Sequence, residues 1–374
     1  MNQKDDKYWL AFASIEKIGS VFIKTLFEYF GSIELAWNAN IEDLHQIEFL
    51  TRRQVGDFFE CKKSVNPDAC LEYINKKNIK FFNYTDEEYP ELLKQIYNPP
   101  MTLFYKGDLS RCNFKRTLAV VGSRKASEAA KTVLTKILSE FKGTDICIVS
   151  GLALGIDSCA HKAAVNNNIS TIGVIASGFD FVYPTQNRDL YKKIEDESGV
   201  IFSEYWPSFQ PLHWRFPHRN RIVTGLSKGT LVAEAAMKSG ALISANLCLE
   251  QNRELMCMPG LLTNPNTEGI YKLIKNGAAV VTRADDILET LDWQLTPPQP
   301  QVDNNKSCID DLDLSEEERP IFETIATESV TFDMLLADTG MDFGDLMVVL
   351  TNLEIKGYIK QTDGEKYMSV VNIG

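Results

Sequence analysis

At 374 residues, 44% hydrophobic and 24% charged, the chain can bury a sizeable core and is long enough for two or three domains. No apolar run approaches the length of a membrane span, and the opening "MNQKDDKYWL" has no basic segment leading into an apolar one, so the expectation is a soluble, cytoplasmic protein with no membrane contact. The net charge of −12 would exclude a polyanion partner if evenly spread, but from residue 311 onward 4 basic residues stand against 14 acidic ones, leaving 35 against 37 before it, where a basic face can form.

Residues 1–85 read as a small helical domain. Apolar positions in "VFIKTLFEYFGSIELAW" recur at helical spacing, Gly31 offers a stop, and "NIEDLHQIEFLTRRQVGDFF" resumes the period. The single glycine of "EKIGSVFIKTLFEYFG" resembles a SAM or helix-hairpin-helix turn, but the usual pair of glycines is reduced to Gly19 and plain helical packing is the favoured reading. Residues 86–292 change texture. The short runs "TLAVVG", "ICIVSG", "TIGVIASG", "GVIFSE", "GTLVAEA", "ELMCMPG" and "AAVVT" alternate with amphipathic helices, the pattern of an α/β, Rossmann-like, doubly wound parallel sheet. Gly122, Gly151, Gly178 and Gly260 follow the strand ends, where such a sheet forms its ligand crevice. Residues 293–314 are rich in Pro, Asp, Asn and Gln and read as a linker. Residues 315–374 carry three helical stretches, "RPIFETIAT", "TFDMLLADTG" and "DFGDLMVVLTNLEIKG", then a hairpin turning at Asp363-Gly364, which together suggest a winged helix. The eight cysteines are scattered without C-x-x-C or zinc-type spacing, so reduced thiols are expected and no metal site is assigned.

Four constellations bear on chemistry. In "VGSRKASEAAKTV" a glycine turn sets Gly122, Ser123, Arg124 and Lys125 at the mouth of a helix, where unpaired N–H groups and a guanidinium can seat an anion; taken alone, a solvated turn explains it as well. In "IVSGLALGIDSCAHKAA", Gly151 and Gly155 bracket a loop, and Asp157 and His161 lie one helical turn apart. Two ligands are too few for a metal, so a loop-bracing Asp and a structural His are expected. The stretch "HWRFPHRNR" holds three arginines, Arg215, Arg219 and Arg221, with Trp214 and Phe216 and no acid, the ingredients of a single-strand platform. In "GLSKGTLVAEAAMKSGAL", Lys228 opens a strand and Lys238, Ser239 and Gly240 precede a helix. Strand-end loops converge on one edge, so these pieces are expected to line one basic groove.

The ordered set "VGSR", "SGLALGIDSCAH", "GFDFVYPTQNRDL", "SEYWPSFQP", "FPHRNRIVTGLSKGTLVAEAAMKSGALISA" and "NRELMCMPG" resembles the DNA-processing protein A (DprA/Smf) family over about Thr117 to Leu288. The resemblance implies a cytoplasmic protein that dimerises through its Rossmann-like domain, binds single-stranded DNA, and loads a RecA-type recombinase in natural transformation, with no catalytic residue and no cofactor. It implies DNA contacts at Arg124, Arg219, Arg221, Lys228, Lys238 and Ser239, to which the groove reading adds Gly122, Ser123, Gly151, Phe216, Asn220 and Gly240. The chain departs from the pattern at "ASGFD" and at Thr185 after "YP", where Arg188 could restore the charge. A rival reading is a phosphoribohydrolase of the lysine-decarboxylase-like type, because "GTLVAE" echoes part of its signature, with Glu234 in the catalytic place and no Pro-Gly-Gly turn before it. In the winged helix, Asp342, Asp345 and Glu354 against Lys356 alone argue against a DNA contact by that helix and for a protein partner or a contact with the chain's own basic groove.

Overall fold

The computed structural model describes residues 5–294, 312, 314–315, 318–327, 330–362 and 366–369. Nearly all of the segment read as a linker, and the turn at Asp363-Gly364, lie outside the described residues. The chain divides into two compact units, Met1–Leu295 and Thr296–Gly374.

The first unit is built on nine strands: β1 (Lys80–Asn83), β2 (Thr102–Gly107), β3 (Thr117–Val121), β4 (Cys147–Ser150), β5 (Ser170–Ile175), β6 (Gly199–Ser203), β7 (Gly229–Val232), β8 (Glu254–Cys257) and β9 (Ala279–Val280). Their order is β1-β2-β6-β5-β4-β3-β7-β8-β9. From β6 to β9 every pairing is parallel, while β1 and β2 add an antiparallel edge beside β6. Every residue of β3, β4, β6 and β7 is buried, because helices cover both faces; that is why these strands read as unbroken apolar runs. The chain winds outward from β3 to β6 and then crosses back to place β7 against β3, so the topological switch lies between β3 and β7. An open parallel sheet parts its loops there and leaves a crevice at the carboxyl ends of the strands.

The helical start packs onto this sheet. Gly31 ends the helix Ser20–Phe30 in the left-handed conformation, φ +69°, where a side chain would be strained. Thr51 and Gln54 close a reciprocal capping box at the start of the helix Arg52–Lys62. The core gathers Trp9, Phe12, Leu26, Trp37 and Phe58 and runs on into Phe104 of β2 and Trp206 beyond β6, which seals the helices to the sheet edge. β1 falls inside the stretch expected to be helical: its four residues are too few to show alternation.

The second unit has helices Glu318–Thr327, Phe332–Thr339 and Phe343–Ile355 with a three-stranded antiparallel sheet ordered β10-β12-β11, where β10 is Val330–Thr331, β11 is Ile359–Thr362 and β12 is Lys366–Ser369. Its own core includes Phe322, Leu335, Leu346, Leu350 and Tyr367. Three helices and a small sheet make a winged helix, with β10 as a strand not anticipated from the sequence.

Candidate nucleic-acid interface

The crevice at the β3/β7 switch is a groove of about 570 Å³. The turn after β3 forms one wall. Ser123 N donates to Glu234 O at 2.7 Å, which ties the β3 loop to the β7 loop, and Ile156 packs so closely against Gly122 that a Cβ there would sit 2.5 Å from it. Arg124 and Lys125 project from this turn and are exposed. Across the groove the loop before the helix Gly240–Glu250 supplies exposed Lys238, with Ser239 and Gly240. Among the described residues Ser239 Oγ is buried without a hydrogen-bond partner, and a Cβ on Gly240 would project into open space. Among the described residues, none of Arg124, Lys125 and Lys238 is held in an ion pair.

The helix Arg215–Gly225, with Pro217 in its first turn, forms the third wall and contributes Phe216 and Asn220. The Arg124 guanidinium lies over the Phe216 ring at 5.4 Å from its centroid, and Tyr183 packs on the same ring at 5.3 Å. A cation on an aromatic face beside free cations is a surface that offers both charge and a stacking plane.

The three arginines of "HWRFPHRNR" do not form that surface. Arg215, 0% exposed, points away from the groove into the seam with the helical start, where it meets Glu16 and Gln210 O among the rings of Tyr205, Phe209 and Trp214. Arg221, 2% exposed, pairs with Glu204 at 2.5 Å and donates to Asn98 O at 3.0 Å, so it belongs to the same seam and not to the groove. Arg219, 3% exposed, reaches the groove only as its floor, donating to the carbonyls of Gly151 and Val174. Gly151 is required there: a Cβ would stand 2.6 Å from the guanidinium carbon. A guanidinium removed from water needs carboxylate or carbonyl partners, and all three have them.

Lys228 is also displaced. It precedes β7, and its N–H donates to Thr117 O at the start of β3, so it sits at the amino end of the strands, opposite the crevice. Arg188 opens an exposed helical turn and is not among the groove-lining residues. Asp157 braces the loop as expected, accepting from Gly151 N at 3.1 Å and Ala153 N at 3.4 Å; burial pushes its carboxyl up against the pull of Arg219. His161 is fully buried with Nδ1 2.8 Å from Thr171 Oγ1, and burial pushes it down to about 3, which keeps it neutral. Glu234 is 1% exposed: Oε2 accepts from Ser127 N and Oγ, at 2.8 and 3.1 Å, and Oε1 accepts from Asn264 at 3.1 Å. Lys125, expected as part of the glycine turn, lines the groove with Arg124, whereas Asn266 joins it and Tyr183 adjoins it without having been anticipated. Among the described residues no cluster of His, Cys, Asp or Glu could hold a metal, and no helix is long and apolar enough to cross a membrane.

A doubly wound sheet with a cation-lined switch-point crevice, followed by a winged helix, is the architecture of a protein of the nucleic-acid-processing kind. The family model for DNA recombination-mediator protein A matches residues 80–292, and that for the DprA winged helix domain matches 310–365. The chain belongs to the DprA/Smf family. It is 31% identical to protein Smf of Synechocystis over 98% of this chain and 99% of that one, and 38% identical to DNA processing protein DprA of Streptococcus pneumoniae over 64% and 87%. The crystal structure of the S. pneumoniae protein superposes with a TM-score of 0.66 and 34% identity over 75% of this chain and 95% of that one. DNA processing protein A of Helicobacter pylori, whose structure is described as revealing a single-stranded DNA binding mode, superposes with a TM-score of 0.52 and 28% identity over 57% and 95%.

Proposed function

We propose that this protein binds single-stranded DNA in the β3/β7 groove and passes it to a RecA-type recombinase, acting in the cytoplasm as a homodimer formed through the Rossmann-like unit, in natural transformation. The observation that carries the reading is the Arg124 guanidinium over Phe216 beside Lys125 and Lys238, which are exposed and, among the described residues, held in no ion pair. Phosphates would run along Gly122, Ser123, Arg124, Lys238, Ser239 and Gly240, with a base against Phe216 and Asn220 on its edge, above the charge of Arg219. The single-stranded DNA binding described for the H. pylori relative supports the same ligand class. The phosphoribohydrolase reading loses its support because both Glu234 oxygens are committed to Ser127 and Asn264, which makes that carboxylate a brace for the helix Glu128–Ser139. The helix Phe343–Ile355 carries no Lys or Arg and exposes Asp342, Asp345, Phe343 and Val348 at its start and along it, chemistry suited to a protein partner.

A gel-shift titration of an oligothymidine against a duplex of equal length, at two ionic strengths, tests the proposal. The single strand is expected to bind more tightly, with an affinity that falls steeply with salt as counterions are released. Equal binding of both forms, or binding indifferent to salt, would count against it.

A further inference from the structure

Arg124 and Lys125 line a second cleft as well as the groove. It lies between the helices Glu128–Ser139 and Ile156–Asn166, encloses about 340 Å³, and adds Lys131, Lys162 and Asn166 to its walls. Gly155, Ser158 and Ala163 are small and leave it open. Among the described residues no carboxylate lines it. Lys131 reaches out to exposed Glu128 at 2.6 Å, a one-turn surface pair of the weak kind that a phosphate readily replaces. Lys162 is exposed and, among the described residues, is held in no ion pair. The cleft differs from the groove in one respect: no aromatic ring lines it, so it offers charge and amide groups but no stacking plane.

We propose that a single strand seated in the groove crosses the Arg124–Lys125 ridge and continues into this cleft, where Lys162 and Lys131 grip its phosphates. The proposal rests on the reading of the groove as a single-strand site. The shared ridge gives the strand a continuous line of cations from Lys238 to Lys162. Because phosphate contacts carry no sequence information and the cleft has no ring to stack a base, this part of the path is sequence-blind and acts through length and salt alone.

Fluorescence anisotropy on the full chain, with oligothymidines of about 6 and about 20 nucleotides, tests it, since single-strand site sizes of this order separate one pocket from a longer path. The double variant Lys131→Ala/Lys162→Ala alters only surface groups, which a thermal melt checks. The long oligomer is expected to bind about threefold to tenfold more weakly, with a salt slope shallower by about 0.7 for each phosphate no longer gripped, while the short one binds as in the parent. Long-oligomer affinity and slope equal to the parent's would overturn the extended path. Arg124→Ala separates that failure from a failure of the groove itself: it is expected to weaken both lengths, and short-oligomer binding that ignores it, or a parent that binds neither length, overturns the groove reading.

Discussion

The groove and the seam with the helical start are both rich in cations, yet they use them in opposite ways. In the groove, Arg124, Lys125 and Lys238 are exposed and keep their water. In the seam, Arg215 and Arg221 are stripped of water and repaid by Glu16, Glu204 and backbone carbonyls. Burial decides the role: a desolvated guanidinium with fixed partners holds structure together, whereas a hydrated one has donors to give a ligand. Arginine density therefore says little about where a polyanion binds until the partners of each side chain are known.

The largest expected effect is at Arg221. Its replacement by Ala takes the guanidinium partner from the largely enclosed Glu204 and strips the carbonyl of Asn98 of its donor, and is expected to cost about 3 kcal/mol of stability, read as a lower denaturation midpoint; an unchanged midpoint would break the contrast. Next is the acid response of the interior. Unfolded, His161 takes up a proton near pH 6.5, but folded it is held down to about 3, so the unfolded state binds the extra proton between those values. Stability is then full above about pH 6.5 and declines as the pH falls, by about 2 kcal/mol at pH 5. Asp157, pushed up by burial, opposes this at the acid end, so the informative quantity is the slope of the parent minus that of His161→Gln, expected to be positive. Third, Arg124→Ala is expected to weaken oligothymidine binding about tenfold, roughly 1.4 kcal/mol, with the melting temperature unmoved. Smallest is Lys228→Ala, for which neither affinity nor midpoint is expected to shift by more than about 0.5 kcal/mol; a clear loss of affinity would place a DNA contact at the wrong end of the sheet.

The sheet was legible because its parallel strands are buried on both faces, which writes itself into the sequence as runs such as "TLAVV" and "CIVS" closed by Gly122 and Gly151. The antiparallel edge was not: β1 is four residues long and directly follows a helical region. Of the groove, the turn at Gly122–Lys125 and the loop at Lys238–Gly240 could be placed, since a strand end and a helix start are local patterns. The direction of the three arginines could not. Their partners lie far off in sequence, Glu16 at 199 positions from Arg215 and Gly151 at 68 from Arg219, so the lack of acids nearby suggested solvent where the fold supplies partners from elsewhere. Arg221 shows the limit from the other side: Glu204 is only 17 positions away, but β6 had to be placed before the two could be seen to meet.

Arg215 and Phe216 are neighbours on one turn of one helix, the first clamped by Tyr205, Phe209 and Trp214 and the second facing the groove. The turn that presents Phe216 to the groove is therefore fixed from its other side by contacts with the helical start. The amino-terminal helices thus work as a rest for the turn that holds the Phe216 ring against Arg124.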